Sequence, residues 1–280
     1  MFRWYGIVGI FMVLLAQISL FFDIQPFAQW YFPIAWFGYI FLVDALVYSL
    51  RGKSLIKNRP NLFVVLLVLS SVVWWMFEYI GFVVGNWYYT GLEGFGSKLW
   101  KLVFSILSFS TVIPSVFETA ELFKVIHLFD HIKLHKRHKI TKRLLYMLIG
   151  LGVVSFVLPL VYPLYFFPLV WVSFFLILDP VNYIHGQPSI ISHLKDRKLS
   201  VPLSLLTAGF VCGLLWEFWN FYAVPKWHYS IPFVGFFRIF EMPILGYLGY
   251  GPFTFELYAM YNFMLGLVKH KKSDIFRLVS

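Results

Sequence analysis

Long apolar runs, separated by short polar segments, set the pattern of this chain. Several runs have the roughly 20 residues that a helix needs to cross the hydrocarbon core of a bilayer. The pattern predicts an all-α, polytopic membrane bundle of about eight transmembrane helices. The predicted spans are 5–22, 31–50, 62–86, 112–132, 143–161, 165–184, 202–224 and 250–270.

Short polar motifs recur in the same order in the two halves of the chain. Pro-x-x-Phe-Glu occurs at 114–118 and again at 252–256. Phe-Glu-Tyr at 77–79 corresponds to Trp-Glu-Phe at 216–218, and further matches have nearly the same separation. Several features in one order indicate an internal duplication.

The duplication predicts two four-span repeats. The first covers 1–139 with a basic cytoplasmic loop, and the second covers 140–280 with a basic C-terminal tail. An even number of spans in each half makes the repeats parallel rather than inverted. The corresponding segments 97–110 and 232–249 are expected to lie at the outer face or to dip into it.

Composition and charge agree with a membrane location. The chain is 60% hydrophobic and only 13% charged, which is too apolar for a soluble domain. Its net charge of +10 is concentrated in segments on one side of the eight-span arrangement, at 51–59, 133–143, 195–198 and 269–277. This positive-inside pattern predicts an integral membrane protein with both termini in the cytoplasm.

The basic segments are interpreted as loops near acidic lipid headgroups, so no nucleic-acid partner is predicted. The richest stretch, 131–139, could instead bind a metal or an anionic ligand, and that alternative stays open. Cys212 is the only cysteine, which excludes an intrachain disulfide and argues against thiolate metal sites. We predict no metal and no cofactor.

Four glutamates fall inside predicted spans, and they are the candidate catalytic residues: Glu78, Glu118, Glu217 and Glu256. A carboxylate at membrane depth costs about 2.5 kcal/mol or more, so it normally faces a protein interior. The predicted spans place all four at a similar depth in the outer half. We therefore expect them to line one cavity.

Aromatic and amide side chains near these glutamates are the candidate substrate-binding residues: Trp87, Tyr89, Trp216, Asn220, Trp227 and Tyr229. Glu217 and Asn220 are three residues apart and share one face of a helix. The tryptophans at the span ends are equally typical of an interfacial aromatic belt. Two aspartates, Asp44 and Asp179, are expected to play a structural part with the tyrosines four residues later.

The order of these motifs resembles the integral-membrane lycopene cyclases and related carotenoid-biosynthesis membrane proteins. Halves of those proteins carry an acid, a Trp-x-aromatic motif and a Pro-x-Glu-Glu segment. The matching residues in this chain are Glu78, Trp87, Tyr89, Pro114 and Glu118, and then Glu217, Trp227, Tyr229, Pro252 and Glu256. The resemblance implies protonation of an alkene by a carboxylic acid, without a redox cofactor.

The leading hypothesis is a membrane enzyme that performs acid–base chemistry on an apolar isoprenoid or carotenoid-like lipid, as a cyclase, isomerase or hydratase would. A proton- or cation-coupled transporter of a small solute is the first alternative, because intramembrane carboxylates and repeats are as natural there. A membrane scaffold without chemistry is the second alternative.

Overall fold

The computed structural model describes residues 2–134, 139–268 and 275–278, with side chains described as far as 276. The centre of the basic loop, at 135–138, and most of the basic tail, at 269–274, lie outside the described residues. The predictions for those two segments therefore stay predictions.

Helices dominate the described chain. The long helices are α1 (Trp4–Phe21), α2 (Tyr31–Arg51), α4 (Pro60–Val84), α5 (Lys98–Ser110), α6 (Val112–Val125), α7 (Lys142–Val161), α9 (Val170–Ile184), α11 (Ser200–Tyr222) and α12 (Tyr250–Val268). The short helices are α3 (Leu55–Asn58), α8 (Pro163–Phe166), α10 (Ile190–Lys195) and α13 (Ile275–Leu278). Single 3₁₀ turns occupy Leu92–Phe95, Phe167–Leu169 and Ile244–Gly249. The strands are β1 (Trp87–Thr90), β2 (Lys226–Tyr229), β3 (Arg238–Ile239) and β4 (Met242–Pro243).

Within the described residues, 7 helical stretches are long and apolar enough to cross a membrane. The chain is therefore an all-α, multi-pass membrane protein. The seven stretches are Trp4–Phe21, Tyr31–Arg51, Pro60–Val84, Lys98–Val125, Lys142–Val161, Pro163–Ile184 and Ser200–Tyr222. The expected eighth span, α12, is a helix of 19 residues but is not among them. Its residues 251–261 include Glu256 and several tyrosines, which lower its hydropathy although most of them are buried.

The fourth span differs from its predicted bounds. The sequence predicts a span at 112–132 and an outer-face segment at 97–110, whereas α5 and α6 follow each other with only Thr111 between them and count as one stretch. The run Ser-Phe-Ser-Thr at 108–111 lies within this continuous stretch. The hydroxyls of Ser110 and Thr111 bond to carbonyls of the preceding turn, as in Thr111 Oγ1 to Ser108 O at 2.6 Å, so these two groups are satisfied without leaving the helix.

The segment expected to match 97–110 folds differently. Residues 232–249 form the β3–β4 hairpin and a 3₁₀ turn, with Arg238 facing Pro243 and Ile239 facing Met242. The two segments therefore share a place in the motif order but not a secondary structure.

The chain divides into two compact units that interleave along the sequence. The first unit contains 1–122 and 212–244, and the second contains 123–211 and 245–280. These units do not coincide with the proposed repeats at 1–139 and 140–280. The two units are defined by which residues pack together, whereas a duplication is defined by the similarity of two segments. The units therefore do not test the duplication, which stays a prediction.

Each unit contains helices that pack closely along one another. In the first unit α1 lies along α2, where a Cβ on Gly9 would come 2.6 Å from the carbonyl oxygen of Gly38. Only glycine permits that approach of the two backbones. In the second unit α9 packs against both α7 and α12.

Candidate functional site

A two-stranded antiparallel ribbon in the first unit brings the two aromatic motifs together. In this ribbon, which consists of β1 and β2, Trp87 faces Tyr229 and Tyr89 faces Trp227. The pairing joins segments that are far apart in sequence. The helices that precede the two strands are α4 and α11, which carry Glu78 and Glu217.

The Glu78 carboxylate accepts three hydrogen bonds from aromatic side chains. Trp74 Nε1 donates to it over 2.8 Å, Trp87 Nε1 over 3.2 Å and Tyr89 Oη over 2.6 Å. Donors of this kind stabilise the ionised form of a carboxyl group. Trp74 is a site residue that the sequence analysis missed, although its spacing of four residues from Glu78 on a helix was a usable signal.

Tyr89 is held as a hydrogen-bond donor. Burial, and after it the neighbouring Glu78 carboxylate, raise the pKa of the Tyr89 phenol well above its usual value. The phenol therefore keeps its proton at physiological pH and continues to donate to Glu78.

The ring of Trp87 is positioned by a glycine in α4. A Cβ on Gly81 would lie 2.0 Å from the Trp87 ring, so the indole rests directly on the helix backbone. This contact directs the indole N–H of Trp87 towards Glu78, one turn earlier on α4. A side chain at position 81 would displace the ring.

Glu217 in α11 has the same kind of contact with β2 that Glu78 has with β1. Tyr229 Oη donates to Glu217 Oε1 over 2.7 Å, and Trp227 Nε1 donates to Tyr229 Oη over 2.8 Å. Glu217 is fully buried. In both motifs the tyrosine of Trp-x-Tyr donates to the glutamate of the preceding helix, so the predicted correspondence extends to the contacts.

Asn220 fixes the start of β2. Its Nδ2 donates to Trp227 O over 2.8 Å, and its Oδ1 accepts from Trp227 N over 2.8 Å. The structure thus gives Asn220 a positioning role, while its predicted contact with substrate is untested. Trp216 is buried against Trp36, with ring centroids 5.3 Å apart.

Glu118 does not lie at the level of Glu78, so the predicted common depth of the glutamates is wrong for this residue. The Ser70 hydroxyl in α4 donates to Phe109 O over 2.6 Å and accepts from Ile113 N over 3.0 Å. These bonds fix the level of Ser70 in α4 beside the junction of α5 and α6. Glu78 lies about two turns beyond Ser70 towards the ribbon, whereas Glu118 lies about one and a half turns beyond Ile113 the other way. The error follows from the fourth span, which begins at Lys98 rather than near 112.

Glu118 lies instead beside Asp44, near the end of α2 that is remote from the ribbon. The two carboxyl groups are within hydrogen-bonding reach of each other, and Glu121 and Arg51 are the next charged neighbours of Glu118. Glu121 itself forms an ion pair with Arg51, the last residue of α2. Within the described part of the chain, no hydrogen-bond donor meets either oxygen of Glu118, which is 2% exposed.

Asp44 holds the start of the short helix α3. It accepts hydrogen bonds from Ile56 N over 2.9 Å, from Ser54 Oγ over 2.7 Å and from Tyr5 Oη over 2.5 Å. The predicted pairing of Asp44 with Tyr48 is wrong. The Tyr48 ring lies 3.9 Å from the guanidinium of Arg3 instead. A structural part for Asp44 agrees with these contacts.

Asp179 does the same for α10 in the second unit. Its carboxylate accepts from Ile190 N over 2.7 Å and from Ile191 N over 2.9 Å. Tyr183, the expected partner, lies beneath the ammonium group of Lys195 at 5.3 Å. Both aspartates lie in corresponding positions, but each one accepts hydrogen bonds at the start of a short helix rather than pairing with the tyrosine four residues later.

Glu256 belongs to the second unit. Its Oε1 accepts from Phe174 N in α9 over 2.7 Å, and the residue is fully buried. Three of the four candidate glutamates thus lie in the first unit and one in the second. Among the residues that the structure describes, no group of three or more His, Cys, Asp or Glu side chains could hold a metal ion.

Comparison with protein-family models, with curated proteins and with solved structures found no match to this chain. The fold and the site therefore define it by class, as a multi-pass helical membrane protein with buried carboxyl groups and an aromatic ribbon.

Proposed function

We propose that this chain is a membrane-embedded acid–base enzyme that acts on an apolar isoprenoid or carotenoid-like lipid. The observation that carries the proposal is the pair of glutamates in α4 and α11, each bonded to the tyrosine of a Trp-x-Tyr motif in the ribbon. The resemblance to the integral-membrane lycopene cyclases supports the same chemistry. The partner would be a membrane lipid or an isoprenoid substrate.

The two glutamates take different roles. Glu78 receives three donors that stabilise its carboxylate, so it serves as the base and as the counter-charge for a cation. Glu217, fully buried in α11, serves as the proton donor. Two carboxyl groups in different surroundings are a recurrent basis for separate acid and base functions.

The reaction needs only proton transfers. The Glu217 proton adds to one carbon of a double bond, and the electron pair of that bond forms the new C–H bond and leaves a carbocation. The tryptophan faces and the Glu78 carboxylate stabilise the cation. Loss of a proton from a neighbouring carbon to Glu78 forms a new double bond, with or without ring closure. Glu78 then releases its proton to water and Glu217 takes one up from water, so the cycle closes without a redox step.

Deuterium incorporation tests this chemistry without knowledge of the product. The purified protein, in phosphatidylcholine vesicles made in D₂O, is incubated with linear polyenes such as lycopene and phytoene. Each cycle of protonation and deprotonation leaves deuterium on carbon, which mass spectrometry detects. We expect incorporation with the wild type and its loss in Glu217→Gln.

A matched variant controls for the surface charge. Glu93 is exposed, so Glu93→Gln should keep the incorporation rate of the wild type. Binding of the polyene, followed by its absorbance in the vesicle fraction, should persist in Glu217→Gln. Equal incorporation by the wild type and Glu217→Gln would refute the assignment of the acid, and no incorporation from any polyene would refute the enzyme.

A proton-coupled transporter is the second candidate, and the contact between Asp44 and Glu118 favours it. This contact places titratable groups at a depth remote from Glu78, as a route across the membrane requires. Vesicles loaded with a pH-sensitive dye should then acidify when a transported solute is added. Loss of that signal in Glu118→Gln, with no deuterium incorporation by the wild type, would favour the transporter.

We also propose that both termini face the cytoplasm. The support is the concentration of basic residues in loops on one side of the predicted spans. In this orientation the ribbon lies on the outer side. Fusion of a reporter that is active only in the cytoplasm to the C-terminus should give activity, and an inactive fusion would contradict the orientation.

A further inference from the structure

We infer that Asp44 and Glu118 form a proton-binding pair, in which the Glu118 carboxyl group carries the proton and donates it to the Asp44 carboxylate. This site is separate from the glutamates of the ribbon. The inference goes beyond the lipid chemistry proposed above and does not depend on it.

The first step is the set of hydrogen bonds around Asp44. Its oxygens accept from the backbone N–H of Ile56 and from the hydroxyls of Ser54 and Tyr5, over 2.5 to 2.9 Å. Tyr5 in α1, and Ser54 and Ile56 at the start of α3, thus present only hydrogen-bond donors to this carboxyl group. Three donors identify Asp44 as the ionised member of the pair.

The second step is the absence of a donor to Glu118 among the residues that the structure describes. Both of its oxygens are buried and meet no N–H or O–H group of those residues, yet the side chain reaches Asp44. Two buried carboxylates in contact would repel each other, and the Glu118 carboxylate would have no hydrogen bond to compensate its loss of solvation. A protonated Glu118 removes the conflict, because its O–H becomes a donor and Asp44 is its acceptor.

The other charged groups near the pair do not reach Glu118 with a hydrogen bond, and this includes Arg51 Nε and Nη2, which have no hydrogen-bond partner among the described residues. Arg51, at the end of α2, forms its ion pair with Glu121, one turn along α6 from Glu118. Tyr5, on α1, donates to Asp44, and the cation of Arg3 lies over the ring of Tyr48. Within the described residues, the groups that face Glu118 are thus Asp44, Glu121, Arg51 and Tyr5, and none donates a hydrogen bond to it.

Infrared spectroscopy observes the proton directly. The protein is placed in phosphatidylcholine vesicles at neutral pH in potassium buffer, and its spectrum is recorded in the C=O stretching region of protonated carboxyl groups. We expect the difference spectrum between the wild type and Glu118→Gln to show the loss of a band equal to one carboxyl group per chain. Glu93→Gln should show no loss.

A second variant keeps the test decisive if Glu118→Gln fails to fold. In Asp44→Asn, the Glu118 O–H must donate to an amide oxygen, which is a weaker acceptor than a carboxylate. The band should therefore persist and move to higher frequency. An unchanged band in both variants, or no band in the wild type, would overturn the inference.

Replacement of potassium by sodium separates a proton from a metal cation. A proton-binding pair should give the same band in both salts. Loss of the band on addition of sodium would show that a sodium ion binds between two ionised carboxylates, and it would overturn the protonated pair.

Discussion

Replacement of Asn220 by alanine tests how the aromatic ribbon is held beside α11. Asn220 is fully buried, and its amide bonds to both the N–H and the C=O of Trp227 over 2.8 Å. The Asn220→Ala variant loses both bonds and leaves two backbone groups without their partner. Because Trp227 is half-buried, water can only partly replace them.

The size of the effect follows from the free-energy cost of leaving a backbone group without a hydrogen bond. Each such group costs about 1 to 2 kcal/mol at a half-buried site, so the two together cost about 2 to 4 kcal/mol. Since 1.4 kcal/mol corresponds to a factor of ten, opening of the strand should become roughly 30-fold to 700-fold more frequent. The effect should be local, because no other contact of the ribbon is removed.

Hydrogen–deuterium exchange of a peptide that covers 226–229 measures this opening. Asn262→Ala is the matched control, because Asn262 is also buried but bonds to Tyr258 O within its own helix in the second unit. The control should leave exchange at 226–229 unchanged. A change of less than about threefold in Asn220→Ala would refute the positioning role of Asn220.

Two further predictions concern the same region. Tyr89→Phe removes the donor to Glu78 and should lower the free energy of unfolding by about 1.5 to 3 kcal/mol in a denaturant titration, whereas Tyr88→Phe, at an exposed position, should not. For Glu241, burial raises the pKa, but the hydrogen bond and charge of Lys226 outweigh it and lower the pKa below its usual value. The stabilisation is therefore present above the usual pKa of about 4.5 and is lost as the pH falls through the lower folded value. Exchange of the β3–β4 hairpin should accelerate over that range in the wild type, and a Glu241→Gln variant with the same acid response would contradict this.

The sequence predicts most of the spans because they depend on local composition. Apolar runs of sufficient length locate α1, α2, α4, α7, α9 and α11 to within a few residues. The fourth span was predicted incorrectly because the motif order placed 97–110 with 232–249 at the outer face, whereas α5 and α6 form one stretch in which the hydroxyls of Ser110 and Thr111 bond to their own helix. The wrong depth of Glu118 is a direct result of that error.

The candidate site is only partly predictable. The repeated order of glutamate and Trp-x-Tyr identified Glu78 and Glu217 together with their tyrosines. The partners of Asp44 and Glu118 could not be predicted, since they come from α1, α3 and α6 through long-range packing. Hydropathy cannot distinguish a carboxyl group that caps a helix from one that contacts another carboxyl group.

The pairing of β1 with β2 has a consequence for the order of events during biosynthesis. The first strand is synthesised well before its partner, with α7, α9 and α11 between them. At about 5 to 20 residues per second, the ribosome takes roughly 7 to 28 s to supply that intervening chain. During this interval β1 is an unpaired strand edge, of a kind that can pair with the wrong chain. Completion of the first unit therefore waits for its last segment, and the glutamates reach their final surroundings late.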